Sequence, residues 1–192
     1  MLNAAWRAVR HPLAIAAVAL CACSDAAPVA PDGGSALARS ASSTTSEAEI
    51  RRVATMLRRV TARYHNVDAA IADGFVFFHP CEVRPGEGAV GSLYVHFDRL
   101  LDGAIRPELP DALVYEPARN GEEKPRLVAV EFAIPYPLWS GDDPPSYLGA
   151  EFQPEDEYGV FGLHVWVWRN NPDGLFAEAN PRVSCGTSES AG

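Results

Sequence analysis

The sequence predicts an α+β fold, with N-terminal amphipathic helices packed on one curved, mostly antiparallel β-sheet. Three observations carry that expectation. Apolar residues recur at helical spacing between about 46 and 73, strand-like runs bounded by Gly, Pro or Asn follow from Phe75 onward, and most of the 16 prolines come after the helical region. Prolines there favour short strands and loops over further helices. A chain that runs helices first and strands afterwards places a helical layer on an antiparallel sheet.

The chain opens with Arg7, Arg10 and His11, then the apolar run Pro12 to Leu20, then small residues at Cys21-Ala22-Cys23. That order reads as a signal peptide over 1–22. The apolar run is too short for a hydrocarbon core that needs about 20 residues. The tetrad Leu20-Cys21-Ala22-Cys23 resembles the bacterial lipobox, with a large aliphatic at −3 and a small residue at −1. The resemblance implies lipidation of Cys23 and attachment to a membrane through acyl chains. With Ser24 rather than Asp after that cysteine, it implies a cell-envelope protein lipid-anchored in the outer membrane and facing the periplasm. Residues 24–45 are rich in Ala, Ser, Gly, Pro and Thr, so 23–45 is expected to be the lipidated cysteine and a flexible tether. A single globular domain is expected over 46–187 and a disordered tail over 188–192.

Removing Arg7 and Arg10 with the signal leaves 14 basic against 25 acidic residues, a formal charge of −11. So acidic a chain excludes nucleic acid as a partner and electrostatic binding to anionic membranes. The membrane partner is then reached through the lipid alone, and a small-molecule ligand is the other partner to consider. With Cys21 cleaved off and Cys23 lipidated, Cys81 and Cys185 remain. In an oxidising compartment such a pair forms a disulfide. The alternative is two free thiols or one thiol in catalysis, for which His79 is the neighbouring base.

Within the domain, Ser46-Glu47-Ala48-Glu49 fits a capping box. Ile50, Val53, Leu57, Val60 and Tyr64 then form one apolar stripe opposite Arg51, Arg52, Arg58, Arg59 and Arg63, which predicts an amphipathic helix. A second helix is expected from Val67 to Asp73, capped by Asn66 and stopped by Gly74. Strands are expected at Phe75–Phe78, Ser92–Phe97, Leu113–Glu116, Arg126–Ile134 and Gly162–Trp168. The third and fourth flank a connection containing Asn120-Gly121 and are expected to pair as a hairpin. Gly86 to Gly91 is expected to be a loop over the mouth of the sheet.

Three strands carry an ionisable residue in an apolar context: His96, Glu131 and His164. Alternation puts His96 on a face with Tyr94, Glu131 with Ala129, and His164 with Trp166 and Trp168. If those faces coincide, the sheet presents two imidazoles and a carboxylate, the donor set of a divalent transition metal such as Zn, Fe or Mn. Glu116 is the candidate fourth ligand or general base. Two other readings stand beside the metal site. One is a hydrogen-bonded polar cluster that only fixes the core. The other is a pocket for an organic ligand, in which Tyr94, Trp166 and Trp168, with Tyr136, Trp139 and Tyr147, supply aromatic surface. The chain has no G-x-S-x-G elbow, Walker loop or haem-attachment motif, and the G-x-G-x-x-G run Gly86 to Gly91 precedes an expected strand and lacks a following helix N-terminus, which favours a loop over a phosphate cradle.

Tyr64-His-Asn-Val-Asp-Ala-Ala-Ile-Ala-Asp-Gly-Phe, Tyr94-Val-His96, Val114-Tyr-Glu-Pro117, Val128-Ala-Val-Glu131, Leu163-His-Val-Trp166 with the following Asn-Pro-Asp-Gly, and Asn180-Pro-Arg-Val-Ser-Cys185 together resemble a group of uncharacterised secreted bacterial proteins. That group carries Gly-Met-Gly before the strand histidine, where this chain has Gly91-Ser-Leu-Tyr-Val. The resemblance implies no activity. It places His96, Glu131 and His164 within the defining segments. Two functions follow as expectations: a membrane-anchored lipoprotein with a metal or small-molecule site on the sheet face, or a structural or interaction lipoprotein with no catalysis.

Overall fold

The structure is a computed structural model that describes residues 34–118 and 124–186, with side chains from Glu47 onward. The expected signal peptide, Cys23, the Asn120-Gly121 turn and the tail 188–192 lie outside the described residues. Helix α1 is Gly34–Thr61. It therefore begins before the expected cap at Ser46, and 34–45, expected to be tether, is helical. No Gly or Pro interrupts the chain between Ser35 and Thr61, although 40–46 is mostly Ser and Thr, which propagate a helix poorly. A 3₁₀ turn, Ala62–His65, leads to α2, Val67–Ala72, which Asn66 caps by accepting the Asp68 N–H at 3.2 Å.

The strands are β1 (Val76–Arg84), β2 (Gly88–Val95), β3 (Ala112–Glu116), β4 (Arg126–Pro135), the short β5 (Ser146–Tyr147), β6 (Ala150–Glu151) and β7 (Gln153–Glu155), and β8 (Val160–Val165). A four-residue helix, α3 (Phe97–Leu100), links β2 to β3. One antiparallel sheet has the order β1-β2-β3-β4-β8-β7, and β5 pairs with β6 separately. The expected hairpin of β3 with β4 is present. Differences lie at the edges. β1 continues past Pro80, which an edge strand tolerates because one side needs no donor. The segment Gly86–Gly91, expected to be an open loop, is the tight β1–β2 turn and the first half of β2. β8 stops at Val165, three residues short of expectation.

One sheet face carries the main core. Leu113, Tyr115, Val130, Phe132, Leu163 and Val165 cluster there with Val53, Leu57, Tyr64, Val67 and Ala70. Tyr115 Oη donates to the Tyr64 carbonyl at 2.7 Å, tying the helical segment to the sheet centre. The other face has a smaller cluster of Ala89, Val114, Val128, Ala129, Trp166 and Val183. The C-terminal segment closes that end: Ala89 and Asn180 exchange backbone hydrogen bonds at 3.2 and 3.0 Å. Cys81 and Cys185 form a disulfide with Cα atoms 5.2 Å apart, as expected. Among the described residues no helix is long and apolar enough to cross a membrane.

The sheet curls into a half-barrel. Phe78, on β1 at one end of the strand order, meets Tyr158, in the β7–β8 turn at the other end, with ring centroids 5.1 Å apart. The face away from α1 is therefore concave and lies under an aromatic bridge.

Candidate functional site

A single row of paired residues crosses the sheet: Val95 opposite Ala112, Ala112 opposite Glu131, and Glu131 opposite His164. Paired residues share a face, so Glu131 and His164 both point into the concave side. Glu131 is 2 % exposed and His164 6 %. Glu131 Oε2 lies 3.4 Å from His164 Nε2, and neither atom has a hydrogen-bond partner among the described residues.

Glu155, at the end of β7, completes the group. A Cβ on Gly162 would sit 2.5 Å from Glu155 Oε1 and 3.1 Å from Glu131 Oε1. The missing side chain at Gly162 is thus what lets two carboxyl groups converge over the strand. Nearby, Asp111 is buried; its Oδ2 accepts the Ala133 N–H at 3.0 Å, while Oδ1 has no partner.

Glu131, Glu155 and His164 line a cavity of about 240 Å³, with His79, Arg84 and Tyr158 on its walls. A second cavity of about 350 Å³ adjoins it, lined by Phe78, Val95, Phe97, Leu100, Asp111 and Val160. Leu93, Glu131, Glu155, Glu157 and Tyr158 border both. The result is one groove with a polar end and an apolar end, within the size range of small-molecule sites.

Burial dominates the electrostatics. It raises the Glu131 carboxyl well above the usual range, with Glu155 and Asp111 adding to the effect. Glu155 is raised by burial against the opposing pull of Arg84 and His79. Asp111 is pushed up to about 7, again by burial first. His164 is pushed down to about 4 by burial and by Arg84. Although close enough to count as an ion pair, Glu131 and His164 are each driven towards the neutral form by burial. Arg84 is itself engaged by an ion pair with Glu178. Burial thus favours the uncharged forms of Glu131, Glu155 and His164 at the polar end, and a cation arriving there would favour the carboxylates instead.

The expected four-ligand set does not assemble. Because Val95 occupies the row, His96 faces the opposite side, where its ring packs edge-on against Phe75 at 5.3 Å. Tyr94 also lies on the helix side, against Phe77 and Tyr115 at 5.4 and 5.1 Å. Glu116 is on the concave side but at its far end, where it pairs with Arg126 and accepts the Ser184 N–H at 3.1 Å, anchoring the tail. Trp168 is on the helix side, donating from Nε1 to Thr61 Oγ1 at 3.0 Å. It left the expected face because β8 has ended: the Val167 N–H turns back to the Val165 carbonyl at 2.8 Å, and alternation no longer holds. Trp166 does share the face of His164, stacked at 5.9 Å and 14°. Its indole is taken up by the Ala177 carbonyl at 2.5 Å, and it does not line the groove. Among the described residues no three His, Cys, Asp or Glu side chains are arranged to hold a metal ion.

No family model matches the chain, and no curated protein or solved structure matches it either. Reading the strands alone missed Asp111, Glu155, His79 and Tyr158. One signal was legible: Gly162 inside a strand pattern marks a close approach of other groups.

Proposed function

We propose that the chain is an exported lipoprotein of the bacterial envelope, attached to the outer membrane through Cys23 and facing the periplasm, whose domain binds a small organic molecule in the concave groove. In this reading the N-terminal helices form the layer that covers the opposite sheet face. The observation that carries the binding function is the buried pair Glu131 and His164, whose Oε2 and Nε2 atoms lack partners among the described residues at the polar end of a groove that opens onto an apolar chamber. Buried polar atoms are nearly always hydrogen-bonded, so orphans on a cavity wall favour a ligand over a purely architectural cluster. The metal reading loses support because His96 and Glu116 stand apart from the pair.

Two measurements test it. Palmitate labelling is expected for the full chain in a bacterial host and lost in Cys23→Ser; labelling that persists refutes the anchor. The exported Cys23→Ser chain, screened by thermal melting against small cationic, neutral and anionic aromatic compounds, is expected to be stabilised by one class, and Glu131→Gln is expected to abolish that stabilisation. No stabilisation by any class refutes the binding function and favours a structural lipoprotein.

A further inference from the structure

We propose that the groove selects an organic cation: a primary or secondary ammonium on a compact apolar body, its nitrogen seated among Glu131, Glu155 and His164 and its body lying in the Phe78–Phe97 chamber. This names the ligand class of the groove and rests on the binding reading above.

The chemistry of the polar end requires N–H donors. Glu131 Oε2 and His164 Nε2 are buried without partners, and a neutral imidazole nitrogen and a carboxylate oxygen both accept from an ammonium. The two carboxyl groups over Gly162 approach one point from different strands, which suits a compact charge with several diverging protons. The balance of charge points the same way. Asp111, Glu131, Glu155 and Glu157 border the groove, whereas Arg84 is engaged by Glu178. An anion would meet these carboxyls and an Arg84 already engaged by Glu178, whereas an ammonium brings the N–H donors that the orphaned Glu131 and His164 atoms lack. The rings of Phe78 and Tyr158, 5.1 Å apart over the entrance, offer further attraction to a cation. At the other end Val95, Phe97, Leu100 and Val160 leave an apolar chamber of about 350 Å³ for the carbon body.

Proton linkage follows from the same geometry. Glu131 is faced by His79, Glu82 and Arg84 from β1, by Asp111 before β3, by Glu155, Asp156, Glu157 and Tyr158 from β7 and its turn, and by His164 from β8. Burial raises the Glu131 and Glu155 carboxyls in the empty groove and an ammonium favours their charged forms, so binding draws protons off them and tightens as pH rises.

Isothermal titration of the Cys23→Ser chain separates the possibilities with three probes of matched body: 2-phenylethylamine, 2-phenylethanol and 3-phenylpropionate. The amine is expected to bind at least tenfold more tightly than the alcohol, with no binding of the carboxylate. Its heat is expected to vary with buffer ionisation enthalpy, which reports released protons. Glu131→Gln and, in the event that it misfolds by circular dichroism, the more exposed Glu155→Gln are expected to weaken the amine at least tenfold. Binding of the alcohol or carboxylate as tightly as the amine, sensitive to Glu131→Gln, overturns the cation assignment while leaving the groove a binding site. Absence of binding by all three probes overturns the assignment, and the wider thermal-melting screen then decides the fate of the binding function.

Discussion

Replacing Asp111 with asparagine isolates the electrostatic load carried by the concave face. Asp111 is 2 % exposed; its Oδ2 accepts the Ala133 N–H at 3.0 Å and its Oδ1 is unpartnered. Burial, reinforced by Asp102 and opposed by the Ala133 N–H, Arg106 and Arg99, raises its carboxyl from 3.8 to about 7. A carboxyl raised on folding keeps its proton in the folded state at a pH where the unfolded chain has already lost it. Its contribution to stability is therefore full below about pH 4 and is lost as pH climbs through about 7. Between pH 5 and pH 8 this one group lowers the unfolding free energy by about 3 kcal/mol. Asparagine accepts the same Ala133 bond and does not titrate. Asp111→Asn is thus expected to match the parent well below pH 4, and its advantage over the parent is expected to grow by about 3 kcal/mol between pH 5 and pH 8. His164 works in the opposite sense. Lowered to about 4 from 6.5, it makes stability rise with pH between those values, but it is present in both proteins and cancels in the comparison. The assay is urea unfolding of the Cys23→Ser chain and its Asp111→Asn derivative at pH 5 and pH 8 with the disulfide intact. A stability difference that stays constant between the two pH values, within about 0.5 kcal/mol, refutes the reasoning.

Gly88→Ala tests how the tail is held. Gly88 has φ +113°, and a Cβ there would lie 2.3 Å from the Asn180 backbone. The substitution is expected to displace the tail, cost on the order of 2 kcal/mol or more and hasten tryptic cleavage after Arg182; unchanged cleavage would show that the tail is not seated by this contact. Cys185→Ser opens a covalent loop with a sequence separation of 104. The expected loss is roughly 3–5 kcal/mol, read by urea unfolding, and a loss below about 1 kcal/mol would mean that Asn180 and Glu116 hold the tail without it.

The central strands were legible because β3 and most of β4 are buried on both faces and read as continuous apolar runs bounded by turn residues. The alternation within each strand was also legible: Glu131 does share a face with Ala129, and His164 with Trp166. What alternation cannot supply is register between strands, because a slip of one residue reverses every face. Here Val95 rather than His96 pairs with Ala112, and the strand histidine most prominent in the sequence falls on the wrong side of the sheet. Glu155 was hidden for a different reason. Its strand spans only Gln153–Glu155, too short for any periodicity, and it reaches Glu131 only because Gly162 lacks a side chain. α1 was legible by its stripe but not by its start, since 40–46 is mostly Ser and Thr, weak helix formers whose composition reads as a tether.

The two faces of the sheet differ in what an ionisable residue can do there. On the helix side Leu113, Val130, Phe132 and Val165 are sealed under α1 and α2, and a carboxyl in that layer would have no route to a partner. On the concave side the curl leaves space between the sheet and the Phe78–Tyr158 bridge, so a buried carboxyl still borders a cavity. Each acceptor left unpaired there costs on the order of 1–3 kcal/mol, and Glu131 Oε2, His164 Nε2 and Asp111 Oδ1 are all unpaired. A cluster serving only to fix the core would be at least as stable with apolar residues of similar size. The penalty has a use only if something arriving in the groove removes it. An ammonium does so: it supplies donors to the orphaned acceptors and a charge to the carboxyls as they ionise, so the instability of the empty site becomes affinity for the filled one.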